Sequence, residues 1–190
     1  IFAKETGEFF SEVAYFQDEI DLGRFSVEDK TATHIPLTTK KLHPQIKLLY
    51  NSPKAAAYKI EYFWEIPEMF NWKNSRRSPR HETIKISEIV TLSSLSRMID
   101  LKIEINDHAY DHMIKICFPI EFVPENTYTD GFFSVETRPF NSPQYLHCQA
   151  LSMGNFVGVS NESGGFAIFS DGINEYQLLK GKHNVLTLTL

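Results

Sequence analysis

Ile99-Asp100-Leu101-Lys102-Ile103-Glu104-Ile105 alternates apolar and charged residues without a break. Successive side chains of a strand point to opposite faces, so the four apolar residues share one face and Asp100, Lys102 and Glu104 the other. The period is 2, and the segment reads as a half-buried strand. Thr83-Ile84-Lys85-Ile86-Ser87-Glu88-Ile89-Val90-Thr91-Leu92 repeats the pattern almost as cleanly. Residues 56–66 alternate in part and are rich in aromatics. Residues 113–118 follow after Asn106-Asp107-His108-Ala109-Tyr110-Asp111-His112, a polar connection suited to a hairpin. Further strands are expected over 132–137, 145–150, 156–160, 166–169, 176–179 and 185–190. Pro119, Pro124, Pro139 and Pro143 mark strand ends, where a missing N–H does least damage to a ladder. Only the acidic, aromatic start has helical potential, and it lacks a sustained 3.6-residue stripe. Many short strands with frequent turn signals predict an all-β protein, an antiparallel β-sandwich.

The totals fit one domain over residues 1–190, long enough to bury a core. A net charge of −5 argues against a nucleic-acid surface, which needs a basic stripe to neutralise phosphates. No apolar run approaches the roughly 18 residues of a membrane span, so no membrane partner is expected. Cys117 and Cys148 lack a CxxC partner and sit in apolar settings, which predicts reduced core thiols. Asn161-Glu162-Ser163 is a glycosylation sequon that matters only in a secretory compartment. No signal peptide is visible, and the sequence opens at Ile1 without Met.

Candidate chemistry is sparse. His108 and His112 are four apart, a zinc spacing on a helix, but the flanking period of 2 places them around a turn, and no Glu completes HExxH. No GxSxG elbow or phosphate loop is present. Arg76, Arg77 and Arg80 could grip an anion, although a solvated loop over 71–80 is the plainer expectation. Gly165-Phe-Ala-Ile-Phe-Ser-Asp-Gly-Ile-Asn-Glu-Tyr-Gln-Leu-Leu179 joins two apolar runs through Asp171-Gly172 and a carboxylate-aromatic pair, Glu175-Tyr176. Asp-Gly is a hairpin-turn signal. Glu175 reads either as a polar group at a site's edge or as turn architecture.

Several segments, in order, resemble the C-terminal β-domain of family 38 glycoside hydrolases, the retaining α-mannosidases. Lys4-Glu5-Thr6-Gly7-Glu8 and Phe16-Gln17-Asp18-Glu19-Ile20-Asp21-Leu22-Gly23 resemble the stretch entering a D-x-G-D-x-Y signature, with Arg24-Phe25 where an Asp and a bulky residue are usual. Asp111-His112-Met113-Ile114-Lys115-Ile116-Cys117-Phe118-Pro119 is similar to D-H-x-L-x-V-x-F-P. Asp130-Gly131-Phe132-Phe133-Ser134-Val135-Glu136-Thr137-Arg138-Pro139 resembles F-G-x-x-x-R-P. Gly158 through Gly172-Ile173-Asn174-Glu175-Tyr176 resembles G-x-x-x-x-x-x-G-x-x-E-Y.

The resemblance, closest to the bacterial branch, implies a galactose mutarotase-like supersandwich and a cytoplasmic enzyme. It implies that this chain is the C-terminal β-sandwich of a larger hydrolase whose N-terminal domain carries the zinc and the nucleophile. No catalytic residue, metal ligand or cofactor is then expected here. Asp171, Asn174 and Glu175 become candidates for the edge of the sugar site. The implied partners are its own catalytic domain and a mannoside or oligosaccharide, with a homo-oligomer left open. An apolar interdomain face should be exposed. The other reading is a free-standing carbohydrate-binding module presenting Trp64 or Trp72, although the strand pattern places Trp64 in a core.

Overall fold

The computed structural model describes residues 2–3, 8–9, 13–21, 35–131, 133–141 and 150–190. The chain forms two compact units, Ile1–Gln17 with Met113–Leu190 as unit 1 and Asp18–His112 as unit 2. The strands are β1 (Phe2–Ala3), β2 (Glu8–Phe9), β3 (Tyr15–Ile20), β4 (Leu37–Thr38), β5 (Gln45–Asn51), β6 (Ala55–Pro67), β7 (Phe70–Asn71), β8 (Arg76–Arg77), β9 (His81–Ser93), β10 (Ile99–Asn106), β11 (His112–Ile120), β12 (Asn126–Asp130), β13 (Val135–Pro139), β14 (Leu151–Ser152), β15 (Phe156–Asn161), β16 (Gly164–Phe169), β17 (Glu175–Leu179) and β18 (Asn184–Thr189). The one helical turn among the described residues is a 3₁₀ turn at Thr39–Lys41. The protein is all-β with antiparallel sheets, as the alternation requires.

Unit 2 is built on a four-stranded sheet in the order β10-β9-β6-β5. Its register sorts side chains by face. Leu48, Tyr58, Val90 and Leu101 stand opposite one another, and the next row is Ile46, Ile60, Glu88 and Ile103. The other face carries ion pairs, Lys59–Glu61 at 3.0 Å, Lys85–Glu61 at 2.9 Å and Lys102–Glu104 at 2.8 Å. The apolar face is buried where Trp64 pairs with Ile84, and exposed at Leu48, Tyr58 and Leu92. This gradient supplies the exposed apolar surface that the resemblance leads one to expect.

Unit 1 contains the run β14-β17-β18-β11-β3 of a six-stranded sheet and a four-stranded sheet in the order β13-β12-β15-β16. One face of the first holds Ile116, Phe118, Tyr176, Leu178, Leu186 and Leu188, all buried. Val157, Val159, Thr127 and Thr129 are buried on the second. Arg138 in β13 donates to the Tyr176 hydroxyl in β17 at 3.0 Å, linking the two sheets. Cys117 is a buried thiol outside any disulfide, beside Tyr15 and Val185, as its apolar setting predicts.

Four local expectations change. Residues 106–112 do not close a hairpin, because β10 pairs with β9 while β11 pairs with β18. Asp171-Gly172 likewise joins strands of different sheets, β16 and β17, rather than turning a hairpin. Residues 71–80 are not wholly a solvated loop, since β7 and β8 pair within them and Arg77 is largely buried. The expected 132–137 strand forms at Val135–Pro139 instead. Phe132, Cys148, Pro143, most of the 145–150 strand, residues 4–7 and residues 22–25 of the resembling stretches lie outside the described residues.

Glu88 is 7% exposed amid the apolar face, and burial pushes its carboxyl up to about 7. The unfolded chain ionises this group near 4.5 while the folded one holds its proton to about pH 7. Stability should therefore fall as pH rises between those values. Glu88→Gln should flatten that slope and, at pH 8, raise stability by up to about 3 kcal/mol in urea titrations.

Candidate functional site

Strand β3 buries four successive residues, Tyr15, Phe16, Gln17 and Asp18. Burying residues on both faces leaves Asp18 no solvated side, and its side chain is 0% exposed. A carboxylate out of water must be matched by charge and hydrogen bonds. Arg77 supplies one match, with Nη1 donating to Asp18 Oδ2 and Nη2 to the Asp18 carbonyl at 3.3 Å. The Arg77 Nε is buried without a partner among the described residues. His112 supplies the other, its Nδ1 lying 2.7 Å from Asp18 Oδ1. On the far side of the ring, Nε2 lies 3.1 Å from Asp107 Oδ2.

The backbone sets up this quartet. Asp107 Oδ1 accepts the Ala109 N–H at 2.9 Å, an Asx turn that aims its other oxygen at the ring. Asp111 adopts φ 58, and its carbonyl accepts the Asp21 N–H at 3.1 Å. The small β7–β8 hairpin, with Ser75 at φ 46, delivers Arg77. Burial alone pushes the His112 imidazole down. The Asp18 hydrogen bond with the charges of Asp107 and Asp18 outweighs this, against opposition from Arg77, and the net shift is upward.

This arrangement does not fit a zinc site. Both nitrogens of His112 are engaged by carboxylates, and His108 is exposed. Among the described residues no three His, Cys, Asp or Glu side chains converge as metal ligands.

The residues singled out for a sugar edge do not form one constellation. Asp171 and Asn174 are exposed in the connection, and Gly172 takes φ 89, a left-handed conformation that suits glycine. The Asn174 carbonyl accepts the Met153 N–H at 2.9 Å. Glu175 is half-buried at the start of β17, where its Oε1 accepts the Thr189 hydroxyl at 3.1 Å. It belongs to a polar row with Lys115, whose Nζ donates to Gln177 Oε1 at 2.9 Å. The sequon residue Asn161 serves a turn, its Oδ1 accepting the Ser163 and Gly164 N–H groups at 2.9 and 3.2 Å. Trp64 is buried, whereas Trp72 is exposed and packs edge-on against Phe70 at 4.9 Å between centroids.

Reasoning from sequence missed the quartet as a unit. Asp18 and His112 were visible within the resembling stretches, but their partnership spans 94 positions and Arg77 joins from 59 away. The local signal was weak, because Asp18 stands between Gln17 and Glu19 in an acidic stretch that reads as solvated.

No family model matches the chain. The putative mannosylglycerate hydrolase of Halalkalibacterium halodurans is 22% identical over 199 residues, covering 94% of this chain and 22% of that protein. A solved structure of a protein in glycosyl hydrolase family 38 from Enterococcus faecalis superimposes with a TM-score of 0.87 at 26% identity, over 100% of this chain and 24% of that one. An alpha-mannosidase from the same species gives a TM-score of 0.85 at 26% identity, over 100% and 23%. The resemblance to part of the family 38 α-mannosidases therefore holds along the whole chain, which spans under a quarter of the relatives' length.

Arg77→Met should leave the Asp18 carboxylate buried beside a single cationic partner. Breaking a buried pair in this way costs about 3–5 kcal/mol, which a shift in the urea midpoint of unit 2 should report. Gly172→Val meets no atoms within 4 Å, so strain at φ 89 alone should cost about 1–3 kcal/mol.

Proposed function

We propose that this chain is the non-catalytic C-terminal β-domain of a zinc-dependent retaining α-mannosidase, supporting a catalytic domain elsewhere in the polypeptide. One observation carries the reading, a superposition that uses all of this chain and under a quarter of each matched hydrolase. The zinc and the nucleophile are assigned to the remaining three-quarters; among the described residues here, no cluster of His, Cys, Asp or Glu could hold a metal. The half-exposed apolar face of the β10-β9-β6-β5 sheet, at Leu48, Tyr58 and Leu92, is surface that such a neighbour would cover.

A contact with substrate is confined to the exposed connection before β17. Asp171 and Asn174 are free to meet a sugar hydroxyl there, while Glu175 already accepts a hydrogen bond from Thr189. The exposed Trp72 favours a second reading, a carbohydrate-binding module in which the indole stacks on a sugar face.

Steady-state kinetics of the complete hydrolase test the proposal. Asp171→Asn should raise KM several-fold with kcat little changed, as for a lost charged hydrogen bond of about 1–2 kcal/mol. Glu175→Gln should lower thermal stability and leave both constants alone. A fall in kcat on the order of 10²–10⁴ from either variant, with folding intact, would place a general acid in this chain and overturn the assignment. Weakened glycan binding with Trp72→Ala in the isolated chain, absent any mannosidase parent, would favour the module reading.

A further inference from the structure

We propose that unit 2 is closed at its neck by a pH-gated ionic clasp, the imidazolium of His112 held between Asp18 and Asp107. The position of these residues carries the inference. The chain enters unit 2 at Asp18 and leaves it at His112, so the bond between them ties the first residue of the unit to its last. The Asp21 N–H bond to the Asp111 carbonyl repeats the tie a few residues inward. Ninety-four positions separate the clasped residues, and holding the ends of so long a loop opposes a large conformational entropy.

The clasp needs a charged ring. Both nitrogens sit on carboxylate oxygens, and a carboxylate can only accept. Imidazolium donates to both at once, whereas either neutral tautomer donates to one and turns a lone pair toward the other. The charged groups facing the ring come from three elements: Asp18 on β3, Asp107 on the 107–111 connection, and Arg77 on β8, which holds the other Asp18 oxygen. With His112 protonated the four charges cancel. Once it loses its proton, a net negative charge remains around a side chain only 6% exposed. The two carboxylates hold the folded ring's proton beyond the ordinary imidazole value near 6.5, despite its burial. The clasp's contribution is therefore complete below about pH 6.5 and is lost as pH rises through the folded value.

The test uses the 190-residue chain in a Glu88→Gln background, which removes a carboxyl that titrates nearby. NMR follows the His112 imidazole protons, and hydrogen exchange follows β6 and β9 amides, corrected for intrinsic rates, from pH 6 to 9. The ring should titrate above 6.5. Amide protection should drop about tenfold for each unit of that displacement. Asp107→Asn leaves the Asp18–Arg77 pair in place; it should lower the titration midpoint and shrink the drop in protection. His112→Gln should abolish the pH dependence, and if it does not fold, Asp107→Asn still decides. A midpoint at or below 6.5, protection that ignores pH, or a pH slope that survives His112→Gln overturns the clasp.

Discussion

Asp18 sets the condition that the second unit must meet. Its carboxylate has no contact with water, and the strand that carries it is covered on both faces. An unanswered charge in that position would cost several kcal/mol, more than most single packing contacts return. The β7–β8 hairpin, the Asx turn at Asp107 and the left-handed Asp111 are short local structures beside that carboxylate. Each makes sense as a means of bringing one group to Asp18 or to its histidine. A buried network of this kind is high-stakes: complete, it fixes one arrangement of the chain, and incomplete, it penalises the fold.

The sheets were legible where one face is buried and the other wet. Residues 99–105 alternate strictly because Leu101, Ile103 and Ile105 are half-buried while Asp100, Lys102 and Glu104 are exposed. Strand β12 escaped notice because the residues it buries, Thr127 and Thr129, are polar by composition. Strand β5 is exposed throughout and shifts register between Leu48 and Tyr50, so no sustained pattern marks it. Strand β3 was obscured for the opposite reason, since four consecutive buried residues erase a period of 2. The two polar connections at 106–112 and 170–174 carried correct turn chemistry, including a positive φ at Gly172. Turn residues do not say which sheet receives the next strand, and both connections lead to a different sheet.

The candidate site was legible only in part. Glu175 has the residue type and setting of an acid at a site's edge, yet its oxygen is committed to Thr189 in the same sheet. Arg77 belongs in sequence to a basic run, and nothing local separates it from the exposed Arg76 and Arg80. What distinguishes it is a partner 59 positions away. Long-range charge pairing leaves no periodic trace, which is why a network can organise a unit and stay invisible to pattern reading.

Under the proposed division of labour, this chain supplies antiparallel sheets, a graded apolar face and an exposed polar connection, and the reaction is assigned to the polypeptide that the matched hydrolases carry in addition. The most direct measurement is hydrolysis of a chromogenic α-mannoside by the purified 190-residue chain, with its zinc content determined on the same sample. The account predicts no turnover above a buffer blank and no stoichiometric zinc. Turnover by this chain, or one zinc bound per chain, would contradict it.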